Sequence, residues 1–489
     1  MNFSMQARRE GPKLSLRWSA LYSLVALCSR HWSPQNTEIE NRGRSMSNRT
    51  HALRQRRDRI SQAVDGRSIA IAAGGQISRN FPANVFPYRA SSHFLYLVGQ
   101  SMPDGWLLIR DGESVLYLPE ESRSDALWHG EGLSTAVIAD QIGCAVKRTN
   151  NLTAVVPVDA LSLPAMDSDT CWRQSHLLGR NFKPGTIEPE DESLAHAMVE
   201  LRMIHDSLAI EGLKAAADAT VAAHEAARRV IEPGMFEYQV WAAMQHELTQ
   251  RGMGAAYGPI VTTHGEVLHS DQHKARLEDG DLILIDVGAE TADGWAGDVT
   301  RTWPVNGQRT STQQAIHDVV VNAMEAAVKI CVPGTRYRDV HLAASRGITE
   351  GLVDLDILRG DPEELVSDGV HALFFPHGIG HLIGLDVHDM EDLGDRAGYP
   401  AERSRSRQFG LNHLRLDRDL EPGMAVTIEP GFYQVPALLE DESRLAIIGD
   451  RLNRSELAHY SDVRGIRVED DILITPTGNE VLTRALPRT

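Results

Sequence analysis

Two acids, Asp286 and Asp298, stand inside runs of residues that otherwise belong in a protein core. Residues 282–287 (LILIDV) and 295–303 (WAGDVTRTW) read as strands, rich in branched and aromatic side chains, with Asp293-Gly294 as the turn between them. Such a hairpin brings the two carboxylates close, on one face provided Gly288 and Gly297 absorb any slip of register. Buried acids held together repel and resist leaving water unless a cation lies between them. Alone, the pair reads equally well as two solvated surface acids. Further polar residues in apolar settings change that balance: His377, His381 and His388 in FFPHGIGHLIGLDVHD, Glu429 in MAVTIEPGFY, and Glu469 with Arg467 in GIRVEDDILIT. His377 and His381 have the spacing of a helical zinc pair, but Gly378, Gly380 and Gly384 speak against a helix and no Glu follows His377. Singly, each has a structural explanation: a satisfied core histidine, a turn glutamate, a salt-bridged pair. Together, these carboxylates and at least one imidazole suit two hard or borderline divalent ions, Mn2+ more readily than a thiolate-preferring metal. Carboxylates bridging such ions hold them about 3.5–4 Å apart, where a shared water loses its proton near neutral pH.

The elements that must hold these residues recur along the chain. Residues 230–234 (VIEPG) follow an Ala-rich helix over 207–230 and precede another over 237–251. Residues 330–334 (ICVPG) do the same between helices over 323–329 and 339–352. The strands after the first unit contain Asp286, and those after the second contain Glu429. Two copies of a helix–break–helix–strand unit predict a pseudo-twofold domain with its site between the halves. Upstream, strands are expected over 68–73, 93–98, 105–109 and 114–118, with 152–161 adding another, in a smaller α/β domain ending near residue 180. Residues 181–192 (NFKPGTIEPEDE) form the boundary. Asp191 is a fair N-cap for a helix over 193–204, and the acids at 190–192 read as its solvated start. The fold class is therefore α/β: a leader over 1–45, a smaller domain over 46–180 and a pseudo-twofold domain over 181–489.

Composition sets the outer limits. With 489 residues, 42% hydrophobic and 24% charged, the chain can bury two or three full cores. A formal charge of −18 argues against nucleic acid as the main partner. Cys28, Cys144, Cys171 and Cys331 are scattered with no CxxC pair, which suits a reducing, cytoplasmic compartment. No apolar run is long enough to span a membrane. Residues 1–45 reverse the sign of the rest and read as a disordered leader, or an upstream extension of a chain whose natural start is Met46. Residues 20–28 carry a weak presequence-like pattern.

In the motifs LIDVGAE, GDVTRTWPVNG, HGIGHLIGLDVHD, EPGMAVTIEPGFY and GIRVEDDILIT, in this order and spacing, the sequence resembles the pita-bread metallopeptidases. Within them it is most similar to the branch of Xaa-Pro aminopeptidases (aminopeptidase P) and prolidases. The resemblance implies Asp286, Asp298, His381, Glu429 and Glu469 as metal ligands, with Asp298 and Glu469 bridging two ions, Asp286 on one, and His381 and Glu429 on the other. It places the ligand at His381 and not His377, because His388 falls at the family's second histidine. It makes Glu429 a proton shuttle for a bridging hydroxide, His388 a donor to the scissile carbonyl, and His269 (in VLHSD) a residue lining the substrate pocket. Arg467 and Tyr433 would secure Glu469 and substrate, and His377 would stand behind the ligands. FPYRASSHFLYLVG and ALWHGEGL resemble the aminopeptidase P amino-terminal domain, which implies a homo-oligomer (dimer or tetramer) and brings Trp128 near substrate, within the chain or across a subunit interface, unless it is a core Trp. One departure is the long stretch 391–418, where the substrate-contacting arginine is Arg407, Arg415 or Arg418. The implied activity is release of an N-terminal residue preceding proline. The alternatives are a prolidase confined to Xaa-Pro dipeptides, a non-catalytic binding module, and a creatinase-like amidinohydrolase, which the intact ligand set disfavours.

Overall fold

The structure, a computed structural model, describes residues 35–488 apart from Ser122. The presequence-like stretch at 20–28 and most of the leader over 1–45 lie outside the described residues. The chain divides into two compact units, Met1–Arg49 and Thr50–Thr489. Of the first, only the helical end from Gln35 is described.

The second unit opens on a four-stranded sheet in the order Ile69–Ala72, Trp106–Arg110, Glu113–Leu118, Ala145–Arg148, antiparallel except for the last pairing. The strand expected over 93–98 is instead a helix, Ser92–Val98. Its aromatic and branched residues favour a strand, but the Ser91 hydroxyl accepts the Phe94 N–H at one end and Gly99, left-handed, donates to the Leu95 carbonyl at the other. Residues 152–161 give a single 3-10 turn, Leu152–Ala154, and only Leu161 reaches the sheet, beside Ile69. The Glu192–Met203 helix starts where expected, yet Asp191 does not cap it and is not solvated. It is 1% exposed, accepts the Ser162 N–H at 2.8 Å and pairs with Arg180, because a buried carboxylate needs both donors and a counter-charge.

The carboxy-terminal part carries the expected repeat. The Ser207–Val230 and Glu237–Gln250 helices are joined through Gly234, and the Ser311–Ile330 and Tyr337–Asp354 helices through Gly334. Both glycines have positive φ, +97° and +82°, which a side chain resists. Gly234 N–H donates to Leu277 O and Leu277 N–H to Met235 O; Gly334 N–H donates to Leu420 O and Leu420 N–H to Thr335 O. The same stitch is made twice, once per half. One apolar core runs from Ile71 and Phe94 of the amino-terminal sheet to Phe374 and Ile472 of the second half, so both domains share one compact unit. The architecture is α/β, a smaller amino-terminal domain followed by a pseudo-twofold domain.

Candidate metal centre and its cleft

Each half of the repeat contributes one antiparallel ladder to the site. In the first, Leu282 pairs with Pro304, Asp286 with Thr300 and Glu290 with Ala296, a single unbroken register. Asp298 therefore lies diagonally from Asp286 on the same face. No slip occurs for Gly288 and Gly297 to absorb; their purpose is close approach. A Cβ on Gly288 would lie 1.7 Å from the Gly297 carbonyl oxygen. In the second ladder Ile428 pairs with Asp470 and Gly431 with Arg467, which sets Glu429 directly opposite Glu469. The ladders are joined side by side, with Glu469 N–H donating to Thr300 O at 3.0 Å and the Thr302 hydroxyl to Arg467 O at 3.1 Å. Residues 379–383 run antiparallel along Ala425–Ile428, with Thr427 N–H donating to His381 O and Glu429 N–H to Ile379 O.

Carboxylates from both ladders and the His381 imidazole converge as a result. Donor atoms of Asp298, His381 and Glu469, all buried, lie within 4.8 Å of one another. His381 Nε2 is 3.4 Å from Asp298 Oδ2 and 3.9 Å from Glu429 Oε1. Its Nδ1 faces the Leu382 carbonyl at 3.0 Å and must donate there, so in the neutral ring Nε2 presents a lone pair to two carboxylates. Asp286 completes the group: the Tyr257 hydroxyl lies 2.6 Å from its Oδ1 and also contacts Asp298, and Arg467 pairs with its other oxygen.

The electrostatics follow from this crowding. Burial, then Asp286, pushes the Asp298 carboxyl up to about 8. Burial pushes Glu429 up to about 7, and burial with Asp298 and Glu429 pushes Glu469 far above the carboxylate range. Arg467 is the nearest fixed cation, engaged with Asp286 and, through the Thr300 hydroxyl, with Glu469. One guanidinium cannot neutralise four ionised carboxylates, so without a further cation the cluster keeps its acids protonated near neutral pH. Acceptors aimed at acceptors, in a buried oxygen-rich set with one nitrogen, fit divalent cations.

Behind the cluster, Arg467 donates to the Tyr433 hydroxyl oxygen at 3.0 Å, and that hydroxyl faces His377 Nε2 at 2.9 Å. His377 Nδ1 donates to Gly378 O at 2.7 Å, so Nε2 is the acceptor and Tyr433 the donor. Burial, then Arg467, lowers His377 to about 3 and keeps it neutral. The chain Arg467–Tyr433–His377 is thus fully directed.

A cleft of about 660 Å3 opens onto the cluster. His269, His377, His388, Glu429 and Arg467 line it, with Leu268, Pro376 and Val387 as apolar wall. Tyr433 is fully buried and acts only through its neighbours. Trp128 does not join them. It is 75% exposed on the Arg123–His129 helix and absent from the cleft wall, so it is neither a core residue nor part of the site within one chain. Of the three candidate arginines, Arg415 lines the cleft; Arg418 is turned to the carbonyls of Ala397 and Arg396, and Arg407 is not in the wall. Arg405 and His413 line it as well and were not foreseen. Also unforeseen were Tyr257, Thr300, Glu391 and Asp471, whose carboxylate accepts the Asp298 N–H at 3.1 Å. Thr300 was findable, sitting two places from Asp298 on the same face; Tyr257 sits in a loop without periodicity.

Residues 211–476 match Metallopeptidase family M24, and residues 53–161 match Aminopeptidase P, N-terminal domain. The chain is 31% identical to the Xaa-Pro aminopeptidase of Escherichia coli (strain K12), over 88% of this chain and 94% of that protein. It is 30% identical to the Xaa-Pro dipeptidase of Homo sapiens, over 88% and 89%. Among solved structures it is similar to the aminopeptidase PepP of Pseudomonas aeruginosa (TM-score 0.72, 28% identity, 91% of this chain and 95% of that one). It is equally similar to Escherichia coli aminopeptidase P with the inhibitor Pro-Leu (TM-score 0.72, 29% identity, 90% and 96%).

Proposed function

The chain belongs to metallopeptidase family M24, and from that premise we propose that it is a Xaa-Pro aminopeptidase, a hydrolase that removes the N-terminal residue from peptides with proline in second position. The observation that carries this reading is the convergence of Asp286, Asp298, His381, Glu429 and Glu469 at the end of a peptide-sized cleft. These five residues would hold two divalent ions, Mn2+ by the character of the donor set. When bound, the ions supply Lewis acidity and lower the pKa of water at the site.

The remaining steps belong to the chain's own side chains. Glu429, half-buried at the cleft with a carboxyl near neutrality, takes a proton from the attacking water and returns it to the leaving nitrogen. His388, in the cleft wall with its ring 4.2 Å from that of His381, hydrogen-bonds the scissile carbonyl as negative charge develops. Arg467 fixes Asp286 directly and Glu469 through Thr300, and Tyr433 carries that order to His377. The free amine of the substrate is drawn to the acidic end, which limits cleavage to the first bond. The bond before proline lacks an N–H, so recognition falls to ring shape against Leu268, Pro376 and Val387 and to His269 and His388 at the carbonyl.

The same proposal divides the chain at about 180, with the site in 181–489. It takes the assembly to be a homo-oligomer, which the exposed Leu127, Trp128 and Leu133 favour. It places the protein in the cytoplasm, which the free thiols of Cys144, Cys171 and Cys331 support. Among the described residues no helix is long and apolar enough to cross a membrane.

Rates on Xaa-Pro and Xaa-Pro-Xaa peptides test the reading. The tripeptide is cleaved if it holds; activity confined to the dipeptide makes the protein a prolidase instead. Full activity after Glu429→Gln would defeat the catalytic assignment.

A further inference from the structure

Two residues beyond His388, the chain turns back on itself. Met390, fully buried, has φ +61°, a left-handed conformation uncommon for a residue with a side chain. It opens the 3-10 turn Glu391–Leu393. The reversal sets Glu391 Oε2 3.2 Å from His388 Nδ1. Both oxygens of Glu391 also accept from Arg415 Nη1, at 2.7 and 2.8 Å.

The backbone on either side of Glu391 is pinned. Asp389 is buried, pairs with Arg202 and accepts the Asp386 N–H at 3.0 Å, while its own N–H donates to Leu382 O. Asp392 meets His93 Nε2 at 2.9 Å. His93 Nδ1 accepts from Arg202, so Nε2 carries the proton and donates to Asp392. Glu391 is therefore presented to His388 from a fixed frame, although both side chains keep solvent access.

We propose that Glu391 is a positioning residue for the reaction, acting through His388. A carboxylate only accepts, so the Glu391 contact puts a proton on His388 Nδ1 and leaves Nε2 for substrate; Nε2 donates to the scissile carbonyl when the ring carries both protons, and the Glu391 carboxylate is the counter-charge of that form. Arg415, in the cleft wall, donates to both oxygens of the carboxylate and stops it from swinging away. The inference rests on the aminopeptidase reading and adds to it the residue that fixes which nitrogen of His388 meets the scissile carbonyl. An ordinary surface ion pair between Glu391 and Arg415 would orient nothing, and the experiment separates the two.

The test measures kcat and KM on a Xaa-Pro-Xaa tripeptide for the Mn2+-loaded protein and for Glu391→Gln, Glu391→Ala, His388→Ala and the two double variants. Bound metal and thermal unfolding are measured for each. Loss of kcat by about tenfold or more, KM within about threefold and unchanged metal content are expected for both Glu391 variants. In the His388→Ala background neither should cause a further loss. Glu391→Gln, nearly isosteric, serves if the alanine variant does not fold. Unchanged kcat in the Glu391 variants, a loss confined to KM, or the same loss in the presence and absence of His388 overturns the inference. A native protein unable to cleave the tripeptide would overturn the aminopeptidase reading before any substitution is made.

Discussion

Removing the divalent ions should make the protein's stability fall steeply with pH. Without cations, burial holds the carboxyls of Asp298 and Glu429 near 8 and 7, against 3.8 and 4.5 in the unfolded chain, and Glu469 higher still. A carboxyl whose folded pKa lies above its unfolded value binds more protons when folded. Stability is then greatest below about pH 4 for these groups and is lost as pH rises toward about 8. Raising Glu429 alone from 4.5 to about 7 costs the folded state roughly 3 kcal/mol by pH 7.5. Asp298 and Glu469 add to that as one coupled cluster. For a domain of this size such a cost lowers Tm by on the order of 5 °C or more. Thermal unfolding of the chelated protein from pH 5 to pH 8 measures it, beside the same series with Mn2+ restored. The chelated protein should lose stability across that window and the reloaded protein should not, since bound cations keep the carboxylates ionised. A chelated protein equally stable at pH 5 and pH 8 would refute the idea that these acids are forced together.

Other perturbations bear on single elements. Gly288→Ala drives a Cβ into the Gly297 carbonyl, so the two strands must part; a loss of stability of several kcal/mol and of metal binding is expected by denaturant unfolding and metal analysis. Arg202→Met leaves Asp389 buried without its partner and should cost about 3–5 kcal/mol, read from the same unfolding curves. Tyr433→Phe cuts the hydroxyl link between Arg467 and His377 and should cost about 1–3 kcal/mol with a lower kcat, while metal content stays the same.

Much of the site was legible because its parts lie in strands, where a charged residue among apolar ones is conspicuous. Asp286, Glu429 and Glu469 each interrupt such a run, and the repeated Pro-Gly break announced the two halves. The continuous registers that set Asp298 diagonal to Asp286 and Glu429 opposite Glu469 then follow from alternation along paired strands. What stayed hidden depends on pairings distant in sequence. Arg202 meets Asp389, 187 residues on, and His93 of the amino-terminal domain, and Tyr257 reaches Asp286 and Asp298 from a loop. No local pattern marks either. The Ser92–Val98 helix was misread for another reason: its side chains prefer a strand, and Ser91 and Gly99 decide otherwise as caps.

The most direct test of the central claim counts divalent ions per chain in the purified protein and follows tripeptide cleavage through chelation and Mn2+ return. Two ions per chain, turnover abolished by their removal and restored by Mn2+, is the result this arrangement of five side chains predicts. Full turnover after exhaustive chelation would contradict it.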